Sequence, residues 1–427
     1  MVGSAGDDTI VALSSGRLPA AIAVIRTSGT KAFAIAEAIS GPLGASRRAR
    51  LRTLRDPRDG SPIDRALLIS FAAPDTVTGE NIVEYQCHGS KAVVASLIDT
   101  LTSFDGVREA RPGEFTRRAL SNGKIDLTQA EGLAELLEAE TEAQRRSALS
   151  RSEGALRRQL EQWRKEILGI AADLEVAIDY VDEEDGTATG DVSPRITARA
   201  AEMAALLGAP RVEKLRDGVR VVVAGPPNAG KSSLVNALAG HERAIVTPIP
   251  GTTRDRIEVP LALGGIPIVL VDTAGLRETD DQIERIGVEL AGQEVAAADI
   301  LLWLGDVDSC PDHPGLIAVA SKCDIAVAGR GVAVSAKTGE GVTALKRMIA
   351  ARAAQLVPLP SQLALSRREA DLIDTSRQAL VRADAVPDPV FKAEEMRSAR
   401  LALDEVSGRA GVEALLDTLF ERFCLGK

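Results

Sequence analysis

Aromatic, histidine and cysteine residues are scarce in this chain, and their scarcity limits the kinds of site it can hold. Of the 427 residues, 3% are aromatic, three are histidine and four are cysteine. The cysteines Cys87, Cys310, Cys323 and Cys424 are too far apart for a CxxC zinc or redox site, and the histidines show no ligand spacing. These absences argue against a histidine or cysteine metal centre and predict a reducing, cytoplasmic location.

Long apolar runs and an excess of basic charge are also missing. No run of about 18 apolar residues occurs, which predicts no membrane span. Residues 1–10 lack the basic and apolar regions of a signal peptide. The formal net charge of −10 argues against a broadly basic nucleic-acid binder. The length instead predicts roughly two to four domains, with cores built mainly from aliphatic residues.

Hydrophobic patterning predicts an α+β domain over residues 1–121. Short apolar runs bounded by turn residues indicate strands, and segments with helical spacing lie between them. The predicted strands are 22–25, 66–71 and 82–85, and the predicted helices are 31–39 and 92–101.

Two further segments, 122–216 and 355–427, show helical spacing and predict the two halves of a helical bundle. Apolar residues recur at three- and four-residue steps from Leu127 onwards, and Asp126 is a candidate N-cap. Between the halves, residues 217–354 contain near-continuous apolar runs, which indicate a parallel α/β sheet buried on both faces. Its strands are predicted at 219–224, 266–271, 300–304 and 316–320. The α/β domain is therefore expected to be inserted into the bundle.

Residues 225–232, Gly-Pro-Pro-Asn-Ala-Gly-Lys-Ser, match the phosphate-loop pattern G-x-x-x-x-G-K-[ST]. They follow the strand predicted at 219–224 and precede a helix predicted at 233–239, which Gly240 can end. The glycines let backbone N–H groups surround phosphate oxygens, and the helix N-terminus adds its positive end. Lys231 can reach the β- and γ-phosphates, and the Ser232 hydroxyl can bind Mg²⁺. The motif predicts a nucleoside-triphosphate site.

Four further motifs have the order and spacing of a GTPase core. The Asp272-Thr273-Ala274-Gly275 segment ends a predicted strand, where Asp272 can hold Mg²⁺ through water and the Gly275 N–H can sense the γ-phosphate. Within residues 250–255, Thr253 is a candidate second hydroxyl ligand of the magnesium. The guanine base is expected between Ser321-Lys322-Cys323-Asp324 and Ser335-Ala336-Lys337, with Asp324 accepting hydrogen bonds from guanine N1–H and the 2-amino group.

Two residues of this core are unusual. Many small GTPases place a glutamine after Asp-Thr-Ala-Gly to orient the attacking water, but Leu276 stands there. Glu278 and Glu284 are the nearest carboxylates downstream, apart from the 280–281 aspartate pair. Asn228, inside the phosphate loop, is either a turn former or the ligand of a monovalent cation that supplies positive charge to the phosphates.

These residues resemble the tRNA-modification GTPase family MnmE, also called TrmE, over essentially the whole chain. Beyond the GTPase core, family-like segments are Gly-Glu-Asn-Ile-Val-Glu at 79–84, Ala-Arg-Pro-Gly-Glu-Phe at 110–115, Lys-Ile-Asp-Leu at 124–127 and Phe-Cys-Leu-Gly-Lys at 423–427. The resemblance implies a multidomain α/β plus α+β fold. A P-loop GTPase (Ras-like) domain is inserted in a helical bundle and preceded by an α+β tetrahydrofolate-binding-like domain.

The resemblance also implies that the N-terminal domain forms a constitutive homodimer and binds a 5-formyltetrahydrofolate-type one-carbon donor. Matching positions are Arg26, Glu84, Lys124 and Lys427. The residue types suit this ligand, because a pterin edge needs a carboxylate and the folate glutamate tail needs cations. Taken alone, Glu84 would be a surface carboxylate of a strand and Lys427 a frayed terminus.

For the GTPase domain, the family match implies a potassium ion held by Asn228, Thr247, Ile249 and Thr252. Glu284 matches the carboxylate that orients the hydrolytic water. Family members bring two GTPase domains face to face when GTP and potassium are bound, which activates hydrolysis. The candidate nucleotide-binding residues are Asn228, Ala229, Gly230, Lys231, Ser232, Ser233, Thr247, Pro248, Ile249, Pro250, Gly251, Thr252, Thr253, Asp272, Thr273, Ala274, Gly275, Lys322, Asp324, Ser335, Ala336 and Lys337.

The implied function is potassium-dependent GTP hydrolysis in tRNA modification. The implied partner is the flavoprotein MnmG, also called GidA, in a hetero-oligomer that installs an aminomethyl-type (carboxymethylaminomethyl-type) group at carbon 5 of the tRNA wobble uridine. FAD and NADH belong to that partner. Two alternatives stay open: a ribosome-assembly GTPase switch binding rRNA, and a folate-dependent one-carbon enzyme whose turnover does not need GTP.

The chain departs from the family pattern at three places. Ser321 replaces the usual asparagine of the guanine motif, and its shorter side chain is expected to weaken guanine binding. Asp324 and Ser335 lie only 11 positions apart, so the GTPase domain is trimmed there. Residues 16–21 lack the paired glycines of the family's N-terminal loop, which bears on the details of folate contact.

Overall fold

The computed structural model describes residues 8–179, 191–240, 257–273, 292–325, 330–359 and 362–409, together with Leu416, Leu419, Phe420, Phe423 and Gly426. The chain divides into two compact units, Met1–Ala134 with Ser407–Lys427, and Glu135–Val406. The finer division into four domains stays a prediction.

The first unit contains a six-stranded sheet and its helices. The sheet order is β3-β4-β5-β2-β1-β6, antiparallel except where β1 pairs with β6. The elements are β1 (Thr9–Leu13), β2 (Ala20–Ser28), α1 (Ala32–Ser40), β3 (Arg50–Arg55), β4 (Pro62–Phe71), β5 (Ile82–Gly89), α2 (Lys91–Thr102), β6 (Val107–Glu109), α3 (Glu114–Ser121) and α4 (Leu127–Glu138), which continues into the second unit.

Alternating burial explains why the sheet forms. Along β5, Val83, Tyr85 and Cys87 are buried and pack with Ile25 and Leu97 in one core cluster. The three strands predicted from apolar runs lie within β2, β4 and β5. Residues on one face of each strand thus point into the core formed with α1 and α2.

A smaller core joins α4 to the described residues near the end of the chain. Leu127, Ala130 and Ala134 pack with Phe420 and Phe423. The predicted N-cap is confirmed, because the Gln129 N–H donates to Asp126 Oδ1 at 3.0 Å and the Asp126 N–H donates to Gln129 Oε1 at 3.2 Å. This reciprocal pair satisfies two backbone donors that the first helical turn leaves open.

The second unit is built from helices and one mostly parallel sheet. Its helices are α5 (Glu142–Ser152), α6 (Ala155–Asp179), α7 (Ser193–Leu207), α8 (Glu213–Arg216), α9 (Lys231–Ala239), α10 (292–296), α11 (Val342–Ala353), α12 (Arg367–Ala385) and α13 (Pro389–Val406). Its strands are β7 (Val219–Ala224), β8 (Ile257–Leu263), β9 (Ile266–Asp272), β10 (Ile300–Trp303), β11 (Leu316–Ser321) and β12 (Val332–Val334).

The four long helices α6, α7, α12 and α13 share one hydrophobic core, which includes Trp163, Met203, Ile373, Leu380 and Leu403. The sheet has the order β12-β11-β10-β7-β9-β8, and β8 is antiparallel to its neighbour. All six strands lie in the chain between α8 and α12, so the α/β domain is inserted into the helical bundle. The predicted fold class is confirmed.

Helix α5 joins the sheet to the bundle. At its first turn, the Ala143 N–H donates to Gly265 O at 3.1 Å, in the turn between β8 and β9. Gln144 Nε2 donates to Leu215 O at 2.9 Å. Thr141 and Gln144 also form a capping box, which fixes where the helix begins.

At the other end of α5, Arg151 is buried in the bundle. Its Nη1 and Nη2 donate to the two carboxylate oxygens of Glu369 at 2.9 and 3.1 Å, and Nη1 also donates to Ala364 O at 2.8 Å. Glu135 lies 3.1 Å from its Nε. Burial opposes ionisation of Glu369, but the charge and hydrogen bonds of Arg151 outweigh it and hold the Glu369 pKa below its ordinary value.

Among the described residues, the structure contains no helix long and apolar enough to cross a membrane.

Candidate functional site

The phosphate loop lies between the end of β7 and the start of α9. Gly230 caps α9 in the left-handed region, with φ of 95°, where a side chain is strained. Gly225 packs against the backbone of Leu304, which a Cβ atom would approach to 3.1 Å. Helix α9 begins at Lys231, two residues earlier than predicted, and Gly240 ends it as predicted. The loop therefore presents the N-terminus of α9 to a ligand.

Lys231 is folded back over the loop. Its ammonium donates to Gly225 O at 3.0 Å and Pro226 O at 2.9 Å, and the residue is 7% exposed. The next two residues of α9, Ser232 and Ser233, are exposed. A positive charge and two hydroxyl groups thus surround the helix N-terminus, which suits a polyphosphate.

Asp272 lies next to this loop because β9 pairs with β7, with Asp272 opposite Val223. The residue is 2% exposed, and the Thr273 hydroxyl donates to Val223 O at 2.9 Å. Hydroxyl and carboxylate oxygens are the ligands that Mg²⁺ prefers. The described part of the predicted magnesium set, Ser232 with Asp272, therefore fits this ion in residue type.

A cavity of about 210 Å³ opens at the end of β11, beside the phosphate loop. It joins the start of α9 to the two segments predicted to hold a guanine base. Its lining consists of Gly230, Ser233, Leu234, Ser321, Lys322, Asp324, Ile325, Val334, Ser335, Ala336 and Lys337. The structure thus brings the two distant base motifs together at one cavity.

Two hydrogen bonds fasten the base segment to the phosphate loop. The Ser321 hydroxyl donates to Ala229 O at 2.8 Å, and Lys322 Nζ donates to Asn228 O at 2.8 Å. Asn228 and Lys322 both have φ of 60°, an uncommon conformation outside glycine. Such backbone strain is concentrated at functional sites, where surrounding contacts maintain it.

Ser335 closes the opposite side of the cavity in a tight turn. It is fully buried, its hydroxyl accepts from the Thr338 N–H at 3.2 Å, and its own N–H donates to Glu340 O at 2.9 Å. Burial, together with the Glu340 and Asp324 carboxylates, raises the pKa of the nearby Cys323 thiol. The thiol is therefore neutral at pH 7.

Sequence reasoning missed the apolar lining of the cavity. Leu234, Ile325 and Val334 contribute to its wall, and Ile325 is 77% exposed. The only sequence signal for this role is adjacency to the base motifs: Ile325 directly follows Asp324, and Val334 directly precedes Ser335. An apolar wall beside a carboxylate suits a flat heteroaromatic ring with N–H donors along one edge.

A second candidate site lies in the first unit, on adjacent strands β2 and β5. Arg26 Nε and Nη2 donate to Glu84 Oε1 at 3.0 and 2.7 Å, and the Arg26 guanidinium lies 5.8 Å from the centre of the Phe115 ring. Lys124 is half-buried beside Gly79. Arg26 and Glu84 are thus brought together. They offer the cation and carboxylate that a folate needs, so the residue types fit it.

Several predicted site residues lie outside the described residues, and their roles stay predictions. They are Thr247, Pro248, Ile249, Pro250, Gly251, Thr252 and Thr253, Ala274 and Gly275, Glu284, and Lys427. The potassium set is therefore described only at Asn228, which is exposed in the phosphate loop.

Comparison with known proteins gives matches over nearly the whole chain. The family model described as the MnmE helical domain matches residues 127–424, and that of the GTP-binding protein TrmE N-terminus matches residues 9–124. A tRNA modification GTPase MnmE of Rhizorhabdus wittichii is 50% identical over 438 residues, covering 100% of this chain and 98% of the relative. The one from Novosphingobium aromaticivorans is 47% identical, covering 98% of this chain and 100% of the relative.

Among solved structures, the G domain of the T. maritima FeoB iron transporter is 27% identical. The match covers 32% of this chain and 98% of that chain, with a TM-score of 0.24. The two family models and the full-length relatives agree with the resemblance seen in the motifs. The chain belongs to the MnmE (TrmE) family of tRNA modification GTPases.

Proposed function

We propose that this chain hydrolyses GTP as part of the modification of tRNA wobble uridines. The observation that carries the proposal is that the phosphate loop and the two base motifs meet at one cavity beside the inserted sheet. Lys231 and the N-terminus of α9 lie at its phosphate end, Asp324 lies at its base end, and two hydrogen bonds link the two loops. The two ends meet at one cavity, and the residue types fit a guanine nucleoside triphosphate.

At the phosphate end, the residues of the chain position the γ-phosphate. Lys231 would leave the loop carbonyls for the β- and γ-phosphate oxygens, while the backbone N–H groups at the start of α9 donate to the other oxygens. Ser232, Thr253 and Asp272 would hold Mg²⁺, which when bound supplies positive charge to the phosphates. Glu284 would orient the attacking water, since Leu276 offers no polar group for this task.

The proposed activation uses potassium. Asn228, with Thr247, Ile249 and Thr252, would hold K⁺ beside the phosphates, where it supplies charge that an arginine finger provides in other GTPases. The exposed position of Asn228 supports its part in this set. Two GTPase domains would then meet within a homodimer, so that hydrolysis depends on both potassium and dimerisation.

The remaining proposals concern tRNA, folate and partner. The chain would act with the flavoprotein MnmG and tRNA, and install an aminomethyl-type (carboxymethylaminomethyl-type) group at carbon 5 of the wobble uridine. The one-carbon unit would come from a 5-formyltetrahydrofolate-type donor bound near Arg26, Glu84, Lys124 and Lys427. The full-length similarity to tRNA modification GTPases supports the tRNA substrate, and the Arg26–Glu84 pair supports the folate site.

The test is GTP turnover by the full chain in potassium and in sodium chloride at equal ionic strength, with the oligomeric state followed by light scattering. Faster turnover in potassium is expected, and Asn228→Ala should remove the difference. Asn236→Ala is the matched control, because Asn236 is also exposed but lies on α9 beyond the loop. Equal slow rates in both salts would contradict the potassium mechanism, and no hydrolysis in either salt would contradict the GTPase proposal itself.

A further inference from the structure

We propose that Ser321 gives this pocket no hydrogen bond to the N7 atom of guanine, because its only hydroxyl proton is donated to the phosphate loop. The inference rests on the proposed function, since it concerns a guanine nucleotide bound in the 210 Å³ cavity. It assigns Ser321 a specificity-determining role: the residue fastens the loop and leaves N7 without a donor from its own side chain.

The argument starts from the chemistry of a serine hydroxyl. The group has one proton and two acceptor lone pairs. Its partner, Ala229 O, is a carbonyl oxygen and can only accept, so at 2.8 Å the Ser321 hydroxyl must be the donor. Guanine N7 is also only an acceptor. The Ser321 oxygen therefore presents only lone pairs to N7 and cannot donate a hydrogen bond to it.

The orientation of the base follows from its two edges. In the proposed binding mode the Asp324 carboxylate accepts from guanine N1–H and the 2-amino group, so the six-membered ring points towards Asp324. The five-membered ring, which carries the ribose and N7, then faces the phosphate loop, because the ribose connects to the phosphates. Ser321 lies on that side, hydrogen-bonded to the loop at Ala229.

A side-chain amide at this position would behave differently. Asparagine carries two N–H protons on one nitrogen, so it can donate to Ala229 O and to N7 together. The Ser321→Asn variant should therefore gain an N7 contact without losing the tether. A neutral hydrogen bond of this kind changes affinity by about 2- to 12-fold.

The decisive measurement uses the wild-type chain and needs no variant. Dissociation constants are determined by competition against a fluorescent GDP analogue for GDP, 7-deaza-GDP and IDP. In 7-deaza-GDP a C–H replaces N7, and IDP lacks the 2-amino group. We expect 7-deaza-GDP to bind within about 2-fold of GDP, and IDP to bind about 10- to 150-fold more weakly, since it loses a hydrogen bond to the Asp324 carboxylate.

Two variants sharpen the result. Ser321→Asn should raise the preference for GDP over 7-deaza-GDP to about 2- to 12-fold. Ser321→Ala should weaken both ligands by the same factor, because it removes only the loop tether.

Wild-type discrimination against 7-deaza-GDP of more than about 5-fold would overturn the inference, while GDP binding would still support the proposed function. If GDP fails to compete at all, both the inference and the proposed function are wrong.

Discussion

Replacing Arg151 by alanine is expected to destabilise the helical bundle by about 3–5 kcal/mol. The reason lies in what the substitution leaves behind. Glu369 is 0% exposed, and both of its carboxylate oxygens accept from Arg151, at 2.9 and 3.1 Å. Without the guanidinium, a buried charge loses its partner. That loss is a large share of the roughly 5–15 kcal/mol by which domains are stable.

The assay is urea unfolding of the full chain, followed by tryptophan fluorescence. The sequence has two tryptophans, so a Trp303→Phe background leaves Trp163 as the single reporter. Trp163 is 1% exposed in the core shared by α6, α7, α12 and α13, and its Nε1 donates to Glu202 at 2.9 Å. Its emission therefore reports on the bundle rather than on the sheet.

Two matched variants separate burial from charge. Arg397→Ala breaks the Arg397–Glu394 ion pair, in which the two side chains are 64% and 62% exposed. It should lower the free energy of unfolding by no more than about 1 kcal/mol. The double variant Arg151→Met with Glu369→Leu removes both charges and should recover most of the lost stability. A cost below about 1 kcal/mol for Arg151→Ala, or no recovery in the double variant, would refute the reasoning.

Acid should weaken the same pair. Because the folded-state pKa of Glu369 lies below its ordinary value of 4.5, the carboxylate contributes stability above pH 4.5, and this contribution is lost as the pH falls through the lower, folded-state pKa. The stability difference between wild type and Arg151→Ala should therefore shrink over that range, measured with the same fluorescence assay.

The remaining predictions concern the base pocket and a buried thiol. Asp324→Asn should lower GTP affinity at least about 10-fold, measured by the same competition assay. It should raise XTP affinity, because an amide donor suits the 2-oxo group of xanthine. Unchanged GTP affinity would contradict the role of Asp324. Cys87 should resist iodoacetamide at pH 8, since burial and the Asp64 charge raise its pKa to about 11. Mass spectrometry should find that Cys310, which is partly exposed, is modified before Cys87 in the native chain. Equal rates for these two thiols would contradict this.

The phosphate end of the site was well predicted from local sequence. Residues 219–224 form β7 as expected, because a strand buried on both faces is a continuous apolar run. The loop that follows needs glycine at fixed positions, and Gly225 and Gly230 supply it. Such features depend on near neighbours in the chain, which a sequence displays directly.

Other features depend on residues that are distant in the chain. Ser321 and Ala229 are 92 positions apart, and Arg151 and Glu369 are 218 apart, so neither contact has a local signature. Arg151 lies in a strongly polar helix and would be assigned to a solvated face. Strand β3 was also missed, because its Arg-Leu-Arg-Thr-Leu-Arg sequence lies at an edge of the sheet and has no apolar run.

Helix α5 has a mechanical consequence for the nucleotide domain. Eleven residues make a stiff rod of about 16 Å. One end is hydrogen-bonded to Gly265, in the turn directly before β9, and the far end of that strand carries Asp272. The opposite end of α5 is bonded to Glu369 in the bundle. A shift of β9 along its own axis must therefore either push this rod against a buried charge pair or break the bond at Gly265.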